Sequence, residues 1–248
     1  MVSLYQTQDF AKFWNNRAGD DGEPYKRYVL DPIMLKKLGP INGKVILELG
    51  CGNGYLAKTF LKQQPKKVIL TDLSKFNLMH TAEKITDRRV EITRMDATRA
   101  WHIPDSSLHY IYSNMMLNEV KNIKTPIQEA YRCLKPKGQF IFSITHPSWD
   151  LFNYAQELAG KPSAKMKGLK GYFERSFASF IMKGQEKEYS VSHFHRPLSD
   201  YFQTLKNVGF DIEDIIEPQL NAALLKHHPR FASYKDHPVG LIFSCSKS

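Results

Sequence analysis

The run Glu48-Leu49-Gly50-Cys51-Gly52-Asn53-Gly54 constrains this chain more than any other feature. It follows an apolar segment, Lys44 to Leu49, and precedes a stretch of helical period, so it reads as the turn from a strand into a helix. Glycines at 50, 52 and 54 allow a tight turn whose backbone approaches a ligand more closely than any side chain would permit. A nucleoside-containing ligand suits such a turn. Residue 55 is Tyr, so the G-x-G-x-x-G spacing of dinucleotide binders is missing, which weakens a dehydrogenase reading.

Around this turn, apolar runs rich in β-branched residues alternate with segments of helical period, the pattern of a parallel sheet covered by helices on both faces. The expected strands are Lys44 to Leu49, Lys67 to Thr71, Val90 to Arg94, Leu108 to Ser113 and Gln139 to Thr145. Helices are expected over Gly54 to Gln63, Lys75 to Thr86 and Pro126 to Leu134, with Ser74 and Thr125 as N-caps. From Pro147 to about Ser192 the alternation stops, and Glu157 to Glu188 holds seven Lys or Arg against four Glu. That stretch reads as an insertion or lid. The pattern resumes with a helix from Pro197 to Val208 stopped by Gly209, then strands Phe210 to Ile216 and Val239 to Ser244; Pro218 to Pro238 is expected to be a loop over the site.

These readings predict an α/β fold: a Rossmann-like, seven-stranded, mostly parallel sheet with helices on both faces and a lid inserted after the fifth strand. The expected units are an N-terminal helical cap over residues 1–43, a core over 44–146, the lid over 147–192, and a C-terminal completion of the sheet over 193–248.

Asp72 ends the second strand about 20 residues beyond the glycine loop, where an acidic side chain in this type of fold accepts hydrogen bonds from ribose hydroxyls. Asp96 follows the third strand in the same register. Each Asp alone is an ordinary turn or cap residue, but three such features at successive strand ends point to one ligand site, because ligands of open α/β sheets bind outside the carboxyl ends of the strands.

With these motifs the sequence resembles the class I S-adenosylmethionine-dependent methyltransferases, from about Lys44 through His146. VILELGCGNGYL is similar to their first motif, VILTDLS to their ribose motif, RMDAT to their adenine motif, and YRCLKPKGQFIFSI to the segment after their fourth strand. The resemblance implies S-adenosylmethionine as cofactor and S-adenosylhomocysteine as its product. It implies that Gly50, Gly52 and Gly54 wrap the cofactor with Glu48 at the loop base, and that Asp72 binds the ribose. It further implies that Leu73 packs on the adenine, that Asp96 and Ala97 meet its edge, and that Ser113 and Asn114 approach the methionine part. His109 stands where the family has Asp, and Lys137-Gly138-Gln139 replaces its Pro-Gly-Gly turn; both departures read as structural.

Methyl transfer from a sulfonium is an in-line displacement, so much of the catalysis comes from alignment in a water-poor pocket, and a base is needed only for a protonated acceptor. The candidate bases are His146, directly after the fifth strand, His195, and Glu119. His193 and His195 alternate in SVSHFHRPLSDYF, so on a strand they share a face, and with Arg196 they read as the lining of an anionic pocket. That segment and His146-Pro147 resemble small-molecule methyltransferases of the quinone and secondary-metabolite type. Some of the N-terminal aromatics Tyr5, Phe10, Phe13, Trp14, Tyr25 and Tyr28 are expected to close the pocket, and Arg27 to meet the cofactor carboxylate. The aromatics Phe152, Tyr154, Tyr172, Phe173, Phe177 and Phe180 of the lid fit an apolar or aromatic acceptor.

The net charge of +10 keeps a second partner class open, an RNA and above all a tRNA acceptor, although no RNA-binding appendage accompanies it. A third reading is a cofactor-binding scaffold without turnover. Three widely separated cysteines, Cys51, Cys133 and Cys245, read as reduced thiols, and no metal site is expected. No apolar stretch approaches the ~20 residues that span a bilayer, and the N-terminus has no leader pattern, so a cytoplasmic protein without membrane insertion is expected.

Overall fold

The computed structural model describes residues 4–158, 168–184 and 187–248. Its centre is a seven-stranded sheet of order β3-β2-β1-β4-β5-β9-β8, formed by β1 (Val45–Leu49), β2 (Lys67–Asp72), β3 (Val90–Arg94), β4 (Leu108–Asn114), β5 (Leu134–Thr145), β8 (Phe210–Ile216) and β9 (Gly240–Lys247). Strands β1 to β5 pair in parallel, and β9 runs antiparallel between β5 and β8. The strand order reverses between β1 and β4, and at such a point the loops leaving neighbouring strands diverge and open a crevice.

Alternation along each central strand builds two cores. Leu47, Ile111, Phe140, Phe142 and Phe243 face α5 (Lys124–Cys133) and α7 (Leu198–Val208). Ile46, Tyr112, Ile141 and Ile242 face the other side, towards α2 (Asp31–Leu38), α3 (Ala57–Lys62), α4 (Lys75–Lys84) and α8 (Ala222–His227). The 2.0-residue period of a strand sends neighbours to opposite faces, and each fully buried Phe or Ile contributes about 1.5–3 kcal/mol.

The helix ends show where sequence signals hold and where they slip. Ser74 caps α4 by accepting the Asn77 N–H, and Gly209 ends α7 in a left-handed conformation. Helix α5 begins at Lys124, ahead of the expected Thr125 cap, because the Asn122 carboxamide accepts the Lys124 N–H. Strand β5 begins at Leu134, five residues before the expected start, and runs through Lys137, which takes a positive φ of 61°. The span expected as a loop from Pro218 to Pro238 contains α8, whose cap Asn221 accepts the Leu224 N–H, and a short 3₁₀ turn, Pro229–Tyr234.

After β5 the chain leaves the sheet as α6 (Pro147–Leu158) and returns as a separate antiparallel hairpin of β6 (Ser176–Lys183) and β7 (Glu188–His195). Part of the expected lid, residues 159–167 together with 185 and 186, lies outside the described residues. Helix α1 (Gln8–Ala18) packs its aromatics on this hairpin: the Phe13 and Tyr189 rings stack at 4.5 Å and Phe10 meets Tyr189 at 5.4 Å. Among the described residues no helix is long and apolar enough to cross a membrane.

Candidate functional site

A cavity of about 520 Å³ lies over the carboxyl ends of β1, β2, β3 and β4, roofed by α1 and the β6–β7 hairpin. Its floor is the glycine turn. The Gly50 and Cys51 N–H groups both donate to the Thr71 carbonyl at 2.8 Å, which pins the turn to the end of β2. Gly52 has a φ of 56°, and among the described residues only Trp14 Nε1, at 3.7 Å, comes near the place a Cβ would take, so the space beside this glycine belongs to the cavity. Gly54 does not reach the cavity: a Cβ there would lie 2.5 Å from Thr81 Cγ2 of α4, so its bareness serves packing.

Asp72 lines the cavity while its two oxygens accept the N–H groups of Gly52, at 2.9 Å, and Ser74, at 2.8 Å. Burial raises its carboxyl above the usual range, against these hydrogen bonds. A carboxylate offers about four acceptor directions, so beside these N–H groups and the Asn77 side chain it keeps capacity for a ligand hydroxyl. Leu73, Asp96 and Ala97 line the same end. Burial raises the Asp96 carboxyl, but hydrogen bonds from Thr98 together with the Arg99 guanidinium outweigh it and hold the group below its ordinary value.

The opposite end is a cluster of buried charge. Glu48 is 2% exposed, its Oε2 has no hydrogen-bond partner, and burial with the nearby Asp31 carboxylate pushes its pKa up to about 8. Asp31 accepts hydrogen bonds from Tyr55, Tyr112 and Asn114, and burial still raises it to about 6. Lys26 reaches in and donates to the Asn114 carbonyl at 3.0 Å; burial lowers its pKa. Asn77 and Asn118, which also line the cavity, each keep a buried carbonyl oxygen without a partner. Unpartnered buried acceptors on three residues that line one cavity fit a polar ligand with donors to offer.

The remaining wall is apolar with one polar corner. Met115, Met116, Phe180, Met182 and Val191 supply the apolar part, and Glu119 and His193 the corner. Burial raises the Glu119 carboxyl to about 7, while Tyr5 Oη donates to it at 2.6 Å. His193 Nε2 lies 2.9 Å from Asp150 Oδ1, and the other Asp150 oxygen lies 2.8 Å from His195 Nδ1.

Of the residues expected from the sequence, Glu48, Gly50, Gly52, Asp72, Leu73, Asp96, Ala97 and Asn114 meet in the one cavity, whereas Gly54 and Ser113 stand behind it. Ser113 is fully buried and donates to the Leu49 carbonyl. The two histidines expected as catalytic are also outside the lining. His146 Nδ1 accepts the Ser148 N–H at the start of α6, and its Nε2 meets Glu217 at 2.9 Å. His195 faces the Asp150 carboxylate with one ring nitrogen and the Tyr172 carbonyl with the other, at 2.9 Å, so both nitrogens are engaged away from the cavity.

Arg196 lines no anion pocket: its guanidinium donates to the carbonyls of Val120 and Lys121 and to Tyr201 Oη, clamping the chain after β4. Arg27 pairs with Asp21 at 2.8 Å on the surface, and the neighbouring Lys26 enters the cavity instead. Of the expected lid aromatics only Phe180 lines the cavity; Phe173 is 84% exposed. His109 accepts the Val45 N–H through Nδ1 at 3.1 Å, a bond that ties β4 to the start of β1. The roles of Lys26, Asp31 and Asp150 had no motif to announce them.

Residues 46–138 match the family model for the methyltransferase domain. The chain is 25% identical to an uncharacterised Haemophilus influenzae protein, over 99% of this chain and 97% of that one. It is 33% identical to the malonyl-[acyl-carrier protein] O-methyltransferase of Priestia megaterium, over 40% of this chain and 35% of that protein. The chain thus spans about a third of that relative's length. Among solved structures it superposes with a TM-score of 0.72 on a candidate S-adenosylmethionine-dependent methyltransferase of Listeria monocytogenes, at 26% identity over 88% of this chain and 96% of that one. The strand order, the glycine turn and the strand-end carboxylates agree with these matches: residues 46–138 form a methyltransferase domain on the fold of S-adenosylmethionine-dependent methyltransferases.

Proposed function

We propose that this protein transfers the methyl group to a small, largely apolar acceptor held between the glycine turn and the β6–β7 hairpin. When bound, S-adenosylmethionine supplies an electrophilic methyl on a positively charged sulfur. Gly50 and Gly52 give its backbone-lined bed, Asp72 takes a ribose hydroxyl, and Leu73 with Asp96 and Ala97 holds the adenine. Glu48, through its unpartnered oxygen, receives the amino group of the methionine part, with Asn114 beside it; Gly54 and Ser113 serve only to hold the turn and the strand end.

The observation that carries this reading is that one cavity joins polar atoms at four successive strand ends to an apolar wall drawn from the hairpin. Alignment of acceptor and methyl in such a water-poor space contributes much of the rate in a displacement that spreads charge. Residues 1–43 act as a cap and residues 147–192 as a lid, a division supported by the Phe13–Tyr189 stacking that joins α1 to the hairpin. The apolar wall of Phe180, Met182 and Val191 favours a small molecule over an RNA strand, whose backbone calls for a basic groove.

The test is release of S-adenosylhomocysteine on adding methyl-labelled cofactor and a fractionated cell extract, followed by identification of the labelled product. Label in a small apolar product is the expected result. Label confined to RNA, or none with the cofactor demonstrably bound, overturns the acceptor class or the turnover respectively.

A further inference from the structure

We propose that His193, held by Asp150, is the general base of the reaction, and that the acceptor nucleophile is therefore a hydroxyl that keeps its proton at neutral pH. The inference rests on the cofactor reading above and deepens it. His193 sits on β7 with 3% of its surface exposed, and its ring lines the cavity beside Glu119. Asp150, on α6, is 2% exposed, and its carboxylate accepts from His193 Nε2 and His195 Nδ1, at 2.9 and 2.8 Å. Since a carboxylate only accepts, Nε2 of His193 carries hydrogen, which leaves the lone pair on Nδ1. Nδ1 has no hydrogen-bond partner among the described residues.

The other histidines fail the same accounting. His195 has acceptors at both nitrogens, and His146 spends Nδ1 on the backbone of α6. His195 instead locks Asp150 in place, since its far nitrogen is tied to the Tyr172 carbonyl. The arrangement is a base oriented by a carboxylate that is itself oriented, and the base borders the apolar wall where an acceptor fits.

In the step, the acceptor oxygen attacks the methyl carbon while the carbon–sulfur bond breaks and its electron pair stays on sulfur. The hydroxyl proton passes to Nδ1 of His193. The sulfonium charge disappears and an imidazolium appears, so net charge in the site is unchanged.

Four charged or titratable groups face His193: Asp150 from α6, His195 beyond it, Glu119 from the turn after β4, and Arg196 after β7. Burial disfavours the imidazolium, but Asp150 and Glu119 outweigh burial and the opposing Arg196, and the pKa lies above the ordinary histidine value. The base must be neutral to act, so turnover rises with pH through that raised value and the limb is lost without His193.

The test uses a series of para-substituted phenols as acceptors at about pH 8, where 4-nitrophenol is already ionised and 4-methylphenol is not. His193→Gln is expected to lose about 10²–10⁴-fold on 4-methylphenol and little on 4-nitrophenol. Asp150→Asn is expected to follow the same selectivity with a smaller loss. An equal loss on both phenols overturns the proposal, and transfer to octanoate but to no phenol overturns the hydroxyl class.

Histidine-labelled protein gives a readout independent of turnover: the His193 nitrogen spectrum should show hydrogen on Nε2 and titration at Nδ1. Hydrogen on Nδ1 in the neutral form contradicts the assignment. Calorimetry with S-adenosylhomocysteine runs beside both. Failure to bind there defeats the cofactor reading, whereas normal binding with equal phenol losses defeats only the base.

Discussion

Tyr5 Oη donates to Glu119 Oε2 at 2.6 Å, joining residues 114 positions apart and tying the segment before α1 to the turn after β4. The bond shuts the cavity on the side where the hairpin supplies Phe180 and His193. It also stabilises the Glu119 anion against the burial that raises its pKa to about 7. Tyr5→Phe should push the Glu119 pKa higher still and cost about 1 kcal/mol. Hydrogen exchange of residues 4–18 at pH 8 checks this: faster exchange is expected, and unchanged protection would show that the contact holds nothing.

Glu48 makes stability depend on pH in a direction opposite to that of most carboxylates. Its folded pKa of about 8 lies above the ordinary 4.5, so between these values the folded chain keeps a proton that the unfolded chain has lost. Stability therefore falls as pH rises through that window. Lys26 offsets part of the cost. Glu48→Gln should remove on the order of 2 kcal/mol of the decline between about pH 5 and pH 9, read by urea unfolding at both values. Parallel declines in the two proteins would mean that the carboxylate is not the source.

The place of a Cβ on Gly52 lies in the cavity, with Trp14 Nε1 at 3.7 Å as its near neighbour among the described residues. Gly52→Val should leave the fold intact by circular dichroism, at a backbone cost of about 1–2 kcal/mol, while S-adenosylhomocysteine binding disappears. Lys62→Ala, on the exposed side of α3, should bind normally. Full binding by the Val variant would leave the glycine with the role of a turn residue alone.

The sheet was legible because its strands carry period-2 runs between strong stop signals: Leu47 and Ile111 on one face, Ile46 and Tyr112 on the other. Gly209 and Ser74 marked helix ends through local chemistry that the fold left undisturbed. The carboxylates Asp72 and Asp96 were legible because strand ends fix where their side chains emerge. The acceptor side was not. Asp150, His193 and Glu119 come from α6, β7 and the turn after β4, and their meeting depends on how the hairpin folds back over the sheet. His146 had the right place in sequence, yet a helix start immediately beyond it takes up its lone pair. Arg27 was expected at the cofactor, and the path of the turn at Lys26–Leu30 brings Lys26 into the cavity instead.

Asp72 links the glycine turn to the end of β2 and carries the central claim, that the cofactor lies across the strand ends with its ribose on this carboxylate. The direct measurement is calorimetric titration of S-adenosylhomocysteine into the wild-type protein and into Asp72→Ala. Binding to the wild type is expected, with a loss of about 1.5–3 kcal/mol in the variant, the range for hydrogen bonds to a charged group, and the fold unchanged by circular dichroism. Equal affinity in the two proteins would contradict the claim.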